Sequence, residues 1–315
     1  MTVYPTTASS ARYGIWAILL ASLLWGTTGT VASFAPDVSP LAIGAFAMGF
    51  GGLIQALSAK TRLVQEIPRL LQQKQRLLIG AVAITVYPLA FYTSMRLAGV
   101  AIGTVISIAS APFATAILEC LISKKNTLTQ RWVISFGLGI TGMALLTYAE
   151  PATSQLDEIS TLKMTGILLG LIAGCAYAVY SWVAKAMIET GIQSSAAMGS
   201  LFGLGAIGLL PTLFFTGNQM FASLSNAMVM IYMAVIPMFL GYFLFGYGLR
   251  HINASKATLL TLFEPVVAAV FAVTIVGEVI PYQGWFGMVL IILCLTIQTR
   301  ESPADKHKLS VKSHQ

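Results

Sequence analysis

The chain has 315 residues, of which 57% are hydrophobic and only 9% charged, with a formal net charge of +7. Soluble domains carry about 25% charged residues, so this composition leaves too little polar surface for a globule and reads as a polytopic membrane protein. The basic balance does not point to nucleic acid, because Lys and Arg are spread over short segments instead of massed on one element.

With a span of about 20 mainly apolar residues as the unit, the sequence predicts ten transmembrane helices. The polar opening MTVYPTTASSARY does not resemble a cleaved signal. The first five spans are expected at 14–34, 39–59, 77–95, 99–123 and 131–149. The second five follow at 164–187, 195–216, 226–249, 253–277 and 281–299, and the longest connections are 60–76 and 150–163. Ten spans put both termini on one side. Of the 18 basic residues, all but Arg96 and Lys163 then share that side. They comprise Arg12, the group from Lys60 to Arg76, Lys124, Lys125, Arg131, Lys185, Arg250, Lys256 and the tail from Arg300. By the positive-inside rule that side is the cytoplasm, and the membrane is the cell inner membrane.

The chain also repeats itself. GIWAILLASLLWGTTGTVAS, from Gly14, aligns with GILLGLIAGCAYAVYSWVAK, from Gly166, matching Trp25 with Tyr177 and Thr28 with Tyr180. FYTSMRLAGVAIGTVISIASAP aligns with FGYGLRHINASKATLLTLFEP, both ending on proline, and KNTLTQRW aligns with EVIPYQGW. Each half holds five spans, an odd number, so the halves run in opposite orientation. Inverted repeats of this kind mark secondary transporters, with the solute site near the midplane between them. The expected organisation is an all-α protein with repeats at 1–149 and 164–299 and a cytoplasmic tail at 300–315.

The Trp25-Gly26 pair, Lys185 closing the sixth span, and TLFEPVVAAVFAVTIVGE with Gly277-Glu278 closing the ninth resemble the EamA-type carriers of the drug/metabolite transporter superfamily. The first half departs from that pattern, with Lys125 where the matching acid stands in many members and Ser33 where many have lysine. The resemblance implies ten helices and a central cavity lined mainly by spans 1, 3, 4, 6, 8 and 9. It also implies transport, often export, of amino acids or other small metabolites.

Glu264 lies near the centre of the ninth span, where an ionised side chain costs about 2.5–3.5 kcal/mol on insertion scales and so faces a cavity or a partner. Thr258, Thr261 and Glu264 share one helical face, and Thr104, Ser107 and Ser110 form the matching stripe in span four, with Ser110 in the place of Glu264. Pro265 removes a backbone donor beside the acid. Two readings stand side by side: a cavity-facing titratable group, or a protonated acid bonding a neighbouring helix. Glu119, about 12 Å past the middle of span four at 1.5 Å per residue, is expected to pair with Lys124 and Lys125 at the cytoplasmic interface. Lys185 and Arg250 read as snorkelling anchors.

Aromatic residues with an aromatic or polar neighbour at helical spacing, Trp25 with Thr28, Tyr87 with Phe91, Tyr177 with Tyr180 and Phe239 with Tyr242, fall in spans 1, 3, 6 and 8. Such rings stack on amphipathic or cationic solutes, or simply pack. Pro88 and Pro237 add kinks. Cys120, Cys175 and Cys294 form no CxxC or Cys/His pair, so neither a disulfide nor a metal site is expected, and no cofactor. No phosphate-binding loop follows a strand, and neither HExxH nor a Ser/His arrangement occurs. A carrier of a small organic solute, working by export or alternatively as an uptake carrier or uncoupled facilitator for another metabolite or drug, with protons as an optional coupling ion and lipid around it, is therefore preferred over an intramembrane enzyme, a scaffold or a sensor. The oligomeric state is left open, with a monomer favoured.

Overall fold

The computed structural model describes residues 8–148, 161–277 and 279–300. The polar N-terminus, the 149–160 connection, Glu278 of the Gly-Glu pair and the tail beyond Arg300 lie outside the described residues. Among the described residues there are helices and no strands, and nine helices are long and apolar enough to cross a membrane. The first half contains α1 (Ser10–Ala32), α2 (Pro40–Ser58), α3 (Lys60–Gln72), α4 (Lys74–Ala98), α5 (Val100–Leu121) and α6 (Gln130–Tyr148). The second contains α7 (Thr161–Glu189), α8 (Ser194–Thr216), α9 (Leu224–His251), α10 (Ala254–Val276) and α11 (Tyr282–Thr299).

Two elements differ from the sequence reading. The 60–76 connection is not a loop: α3 fills it, and α4 already begins at Lys74. Leu63, Val64, Ile67, Leu70 and Leu71 recur at helical spacing there, so the segment has an amphipathic period despite Pro68. The expected fifth span is the helix α6, but α6 is not among the nine, because Gln130, Arg131, Ser135, Thr141 and Thr147 dilute its hydropathy. It packs closely all the same. A Cβ on Gly142 of α6 would lie 2.5 Å from the carbonyl oxygen of Gly287 in α11, so only glycine lets these backbones approach so closely.

Packing between the halves is reciprocal. α7 lies on α4 and α5, and α1 lies on α9 and α10; α2 pairs with α8, and α6 with α11. The largest fully buried rings, Tyr180, Phe202 and Phe245, come from three helices of the second half and fill the centre.

Prolines locally reshape two helices at that level. Pro265 has no N–H, so the carbonyl of Thr261 loses its usual partner four residues on. The N–H of Glu264 bonds that carbonyl instead at 3.0 Å, which breaks α10 into two helical pieces at Thr261–Leu262. In α9 a π-helical stretch runs over Ala234–Gly241, around Pro237. By contrast, Pro88 sits inside an uninterrupted α4.

Candidate functional site

The two reshaped helices border a small cavity at mid-bundle. The first half supplies Trp25 and Thr28 of α1, Gly44 and Met48 of α2, and Tyr87, Pro88, Phe91 and Tyr92 of α4; the second supplies Tyr177, Met238, Tyr242 and Glu264. Its volume is about 50 Å³. About 10–15 Å³ of such space takes one water, so this conformation has room for a few waters but not for a metabolite.

The walls are rings held in place by polar bonds. Trp25 stacks obliquely on Tyr242 at 4.8 Å between centroids, and its indole N–H donates to the Pro237 carbonyl at 2.8 Å. Tyr87 sits 5.7 Å from Phe91 and 5.6 Å from Tyr177. The Tyr177 hydroxyl donates to Thr261 Oγ1 at 3.1 Å, and the hydroxyls of Tyr180 and Tyr242 are 2.9 Å apart. Each bond satisfies the polar edge of a buried ring.

Among the lining groups Glu264 alone is an acid, and it is half-buried. No hydrogen bond or ion pair to its carboxyl is found among the described residues.

Six sequence candidates therefore meet in one place: Trp25, Tyr87, Phe91, Tyr177, Tyr242 and Glu264. Five others do not line the cavity. Tyr180 is fully buried beneath Tyr242, and Thr261 receives the Tyr177 hydroxyl. Ser107 and Thr258 donate to carbonyls of their own helices, Gly103 at 2.7 Å and Ala254 at 3.0 Å. Ser110 donates to the Ser107 carbonyl at 3.3 Å and packs against the backbone of Gly174 in α7. The lining also includes α2, which the resemblance did not imply, and no residue of α5. Gly44 and Met48 carry no polar signal that a sequence reading would catch. Gly44 matters by what it lacks: a Cβ there would lie 2.1 Å from the Tyr92 ring.

Glu119 and Lys185 correct the sequence reading. Glu119 is buried and pairs with neither Lys124 nor Lys125. It accepts the backbone N–H of Ala254 at 2.8 Å and of Ser255 at 3.3 Å, together with the Ser255 hydroxyl. Those N–H groups open α10, whose own N-cap residue Asn253 bonds none of them, so a carboxylate from α5 satisfies the helix end. Lys125 instead meets Glu189 at 2.5 Å. Lys185 does not snorkel. It is buried, donating to the Leu249 carbonyl in the last turn of α9 at 2.8 Å, with Glu189 at 3.5 Å. Arg131 likewise donates to the carbonyls of Ile297 and Arg300 at the end of α11. Among the described residues no cluster of His, Cys, Asp or Glu gathers as metal ligands would.

The sequence pattern of the EamA-like transporter family matches residues 12–148 and again 164–299. The chain belongs to the EamA-like transporter family. It is 32% identical over 285 residues to the uncharacterized transporter YwfM of Bacillus subtilis, covering 89% of this chain and 91% of that one. An uncharacterized transporter of Archaeoglobus fulgidus is 24% identical over 92% of this chain and 97% of its own length. The uncharacterized inner membrane transporter YicL of Salmonella typhimurium is 22% identical over 93% of this chain and 97% of its own. A protein of known crystal structure superposes with a TM-score of 0.74 over 92% of this chain and 96% of that one, at 16% identity, a likeness of fold alone. This EamA-like protein is thus a multi-pass membrane transporter of the drug/metabolite superfamily, and the family is one of transporters, not enzymes.

Proposed function

We propose that this transporter moves a small amine-bearing metabolite, an amino acid or a related compound, across the inner membrane by alternating access. The observation that carries the reading is the carboxyl of Glu264, without a partner among the described residues, inside a cage of oriented rings. A carboxylate and aromatic faces together suit an ammonium group on an otherwise apolar body. The residues we assign to the path are Trp25, Tyr87, Phe91, Tyr177, Tyr242 and Glu264, with Tyr180, Ser107, Ser110, Thr258 and Thr261 as the layer that moves with them.

The same proposal takes α6 as the tenth span and the two halves as inverted repeats, at 1–149 and 164–299 with a tail at 300–315. Reciprocal packing of α1 and α7 supports the symmetry, and the distribution of Lys and Arg supports cytoplasmic termini. Export as the direction rests on the family resemblance. The test is uptake and counterflow of labelled amino acids and polyamines in liposomes holding only this protein. Accumulation that depends on the protein and competes with unlabelled solute is expected. Flux no faster than in empty liposomes across both solute classes overturns the reading.

A further inference from the structure

α3 presents three different faces. Glu66 and Leu70 are buried against the bundle, while Val64, Ile67 and Leu71 are 60%, 47% and 63% exposed along one stripe. Arg62, Gln65, Arg69 and Gln72 make the third face. A short charged helix with an exposed apolar stripe, next to membrane spans, lies at the level of lipid headgroups. At its end the chain turns through Gln73 into α4, and a cavity of about 710 Å³ opens there. Arg69, Gln72, Lys74, Gln75, Arg76 and Thr190 line it, and no acid does.

Arg69 and Gln73 from the first half already meet the turn after α7: Gln73 Nε2 is 2.5 Å from Thr190 Oγ1, and Arg69 Nη1 is 3.5 Å from the Gly191 carbonyl. Arg69 is also 3.1 Å from Glu66, but Lys74 and Arg76 have no acid in this cavity. One and two turns below Lys74 and Gln75, α4 exposes Leu78, Ile79 and Val82 at 66%, 51% and 53%. Three cations and several amides therefore sit directly above a bare apolar strip.

We infer that this cavity takes the phosphate of an anionic phospholipid, with its acyl chains lying along Leu78, Ile79 and Val82. The apolar strip decides between a lipid and a free anion, since inorganic phosphate has no use for it. Net negative charge decides between lipids, because a choline headgroup cancels the attraction of the cations. The bound lipid touches both halves at one end of the bundle and so stabilises the arrangement in which they meet there. The inference needs only a membrane-embedded chain and is independent of the solute.

The test is thermal unfolding of delipidated protein in neutral detergent with dioleoyl phosphatidylglycerol, dioleoyl phosphatidylcholine or inorganic phosphate. Phosphatidylglycerol is expected to raise the midpoint by about 3 °C or more through binding to the native state, and the other two by less than about a third of that. Lys74→Gln with Arg76→Gln is expected to lose most of the shift, while Lys60→Gln, on α3 but outside the cavity, keeps it. Equal stabilisation by phosphatidylcholine or by inorganic phosphate overturns the lipid assignment. A full shift in the double variant overturns the location; should that variant not be recovered, a full shift in both single variants does the same.

Discussion

Glu119 and Glu264 are both carboxyls within apolar helices, and the structure treats them oppositely. Glu119 is enclosed, and its oxygens accept two backbone N–H groups and a hydroxyl at the start of α10. Glu264 is half-open to the cavity, with no bond to its carboxyl among the described residues. An ionised carboxylate offers about four acceptor sites, and Glu264 leaves its own facing the cavity. Depth in an apolar helix therefore does not set the two apart; what does is bonding capacity used up at Glu119 and left facing the cavity at Glu264.

The comparison breaks first at Glu119. Glu119→Ala leaves two buried N–H groups at the start of α10 without an acceptor, and hydrogen bonds to charged groups are worth about 1.5–3 kcal/mol each. The variant is expected to lose about 3 kcal/mol or more, read as a sharply lower midpoint or failure to yield monodisperse protein. Glu119→Gln retains an acceptor and recovers part of that. A midpoint for the alanine variant equal to the parent's would mean that the carboxylate is not what holds the elbow between α9 and α10.

Lys185 of α7 is the counterpart on the other side of that elbow, a cation bonded to the last turn of α9. Lys185→Met keeps the buried stem but frees the Leu249 carbonyl, at an expected cost of about 1–2 kcal/mol. Lys60→Gln, exposed at the start of α3, serves as the control at under about 0.5 kcal/mol.

A smaller effect is expected inside the cage. Tyr180→Phe and Tyr242→Phe each remove one hydroxyl from the 2.9 Å bond between them. Each should cost about 1 kcal/mol, and the double variant little more than either single one, because the two share a single bond. Additive losses would show that each hydroxyl has a second partner.

How much of this was legible in the sequence follows from what each feature depends on. The spans are local runs of apolar residues, and nine emerge close to the expected limits. Glu264 and the rings at Trp25, Tyr87, Tyr177 and Tyr242 stand out because polar or aromatic types recur at helical spacing. α3 was readable too: Leu63, Ile67, Leu70 and Leu71 carry the period, but the charges and Pro68 draw attention first. Glu119 was not readable, because its partners lie 135 and 136 residues away and are backbone N–H groups, which no side-chain pattern announces. Nor was Gly44, whose contribution is the absence of a side chain beneath Tyr92.

The smallest expected effect on stability is at Glu264, and there the comparison is sharpest. Glu264→Gln keeps shape and hydrogen-bonding capacity but ends titration and charge. With no partner for the carboxyl to lose, the midpoint should move by less than the equivalent of about 0.5 kcal/mol. Transport should behave differently. If Glu264 holds the ammonium end of a solute or exchanges a proton with it, the variant loses concentrative uptake into liposomes and its rate no longer varies with pH. Glu264→Asp, with the charge drawn back by one methylene, should retain part of the rate. A polar group that merely ties helices together predicts the reverse pattern, a lowered midpoint with the pH profile intact. The two measurements on one variant thus separate the roles: an unchanged pH profile at the parental rate means that the carboxyl takes no part in the transport step.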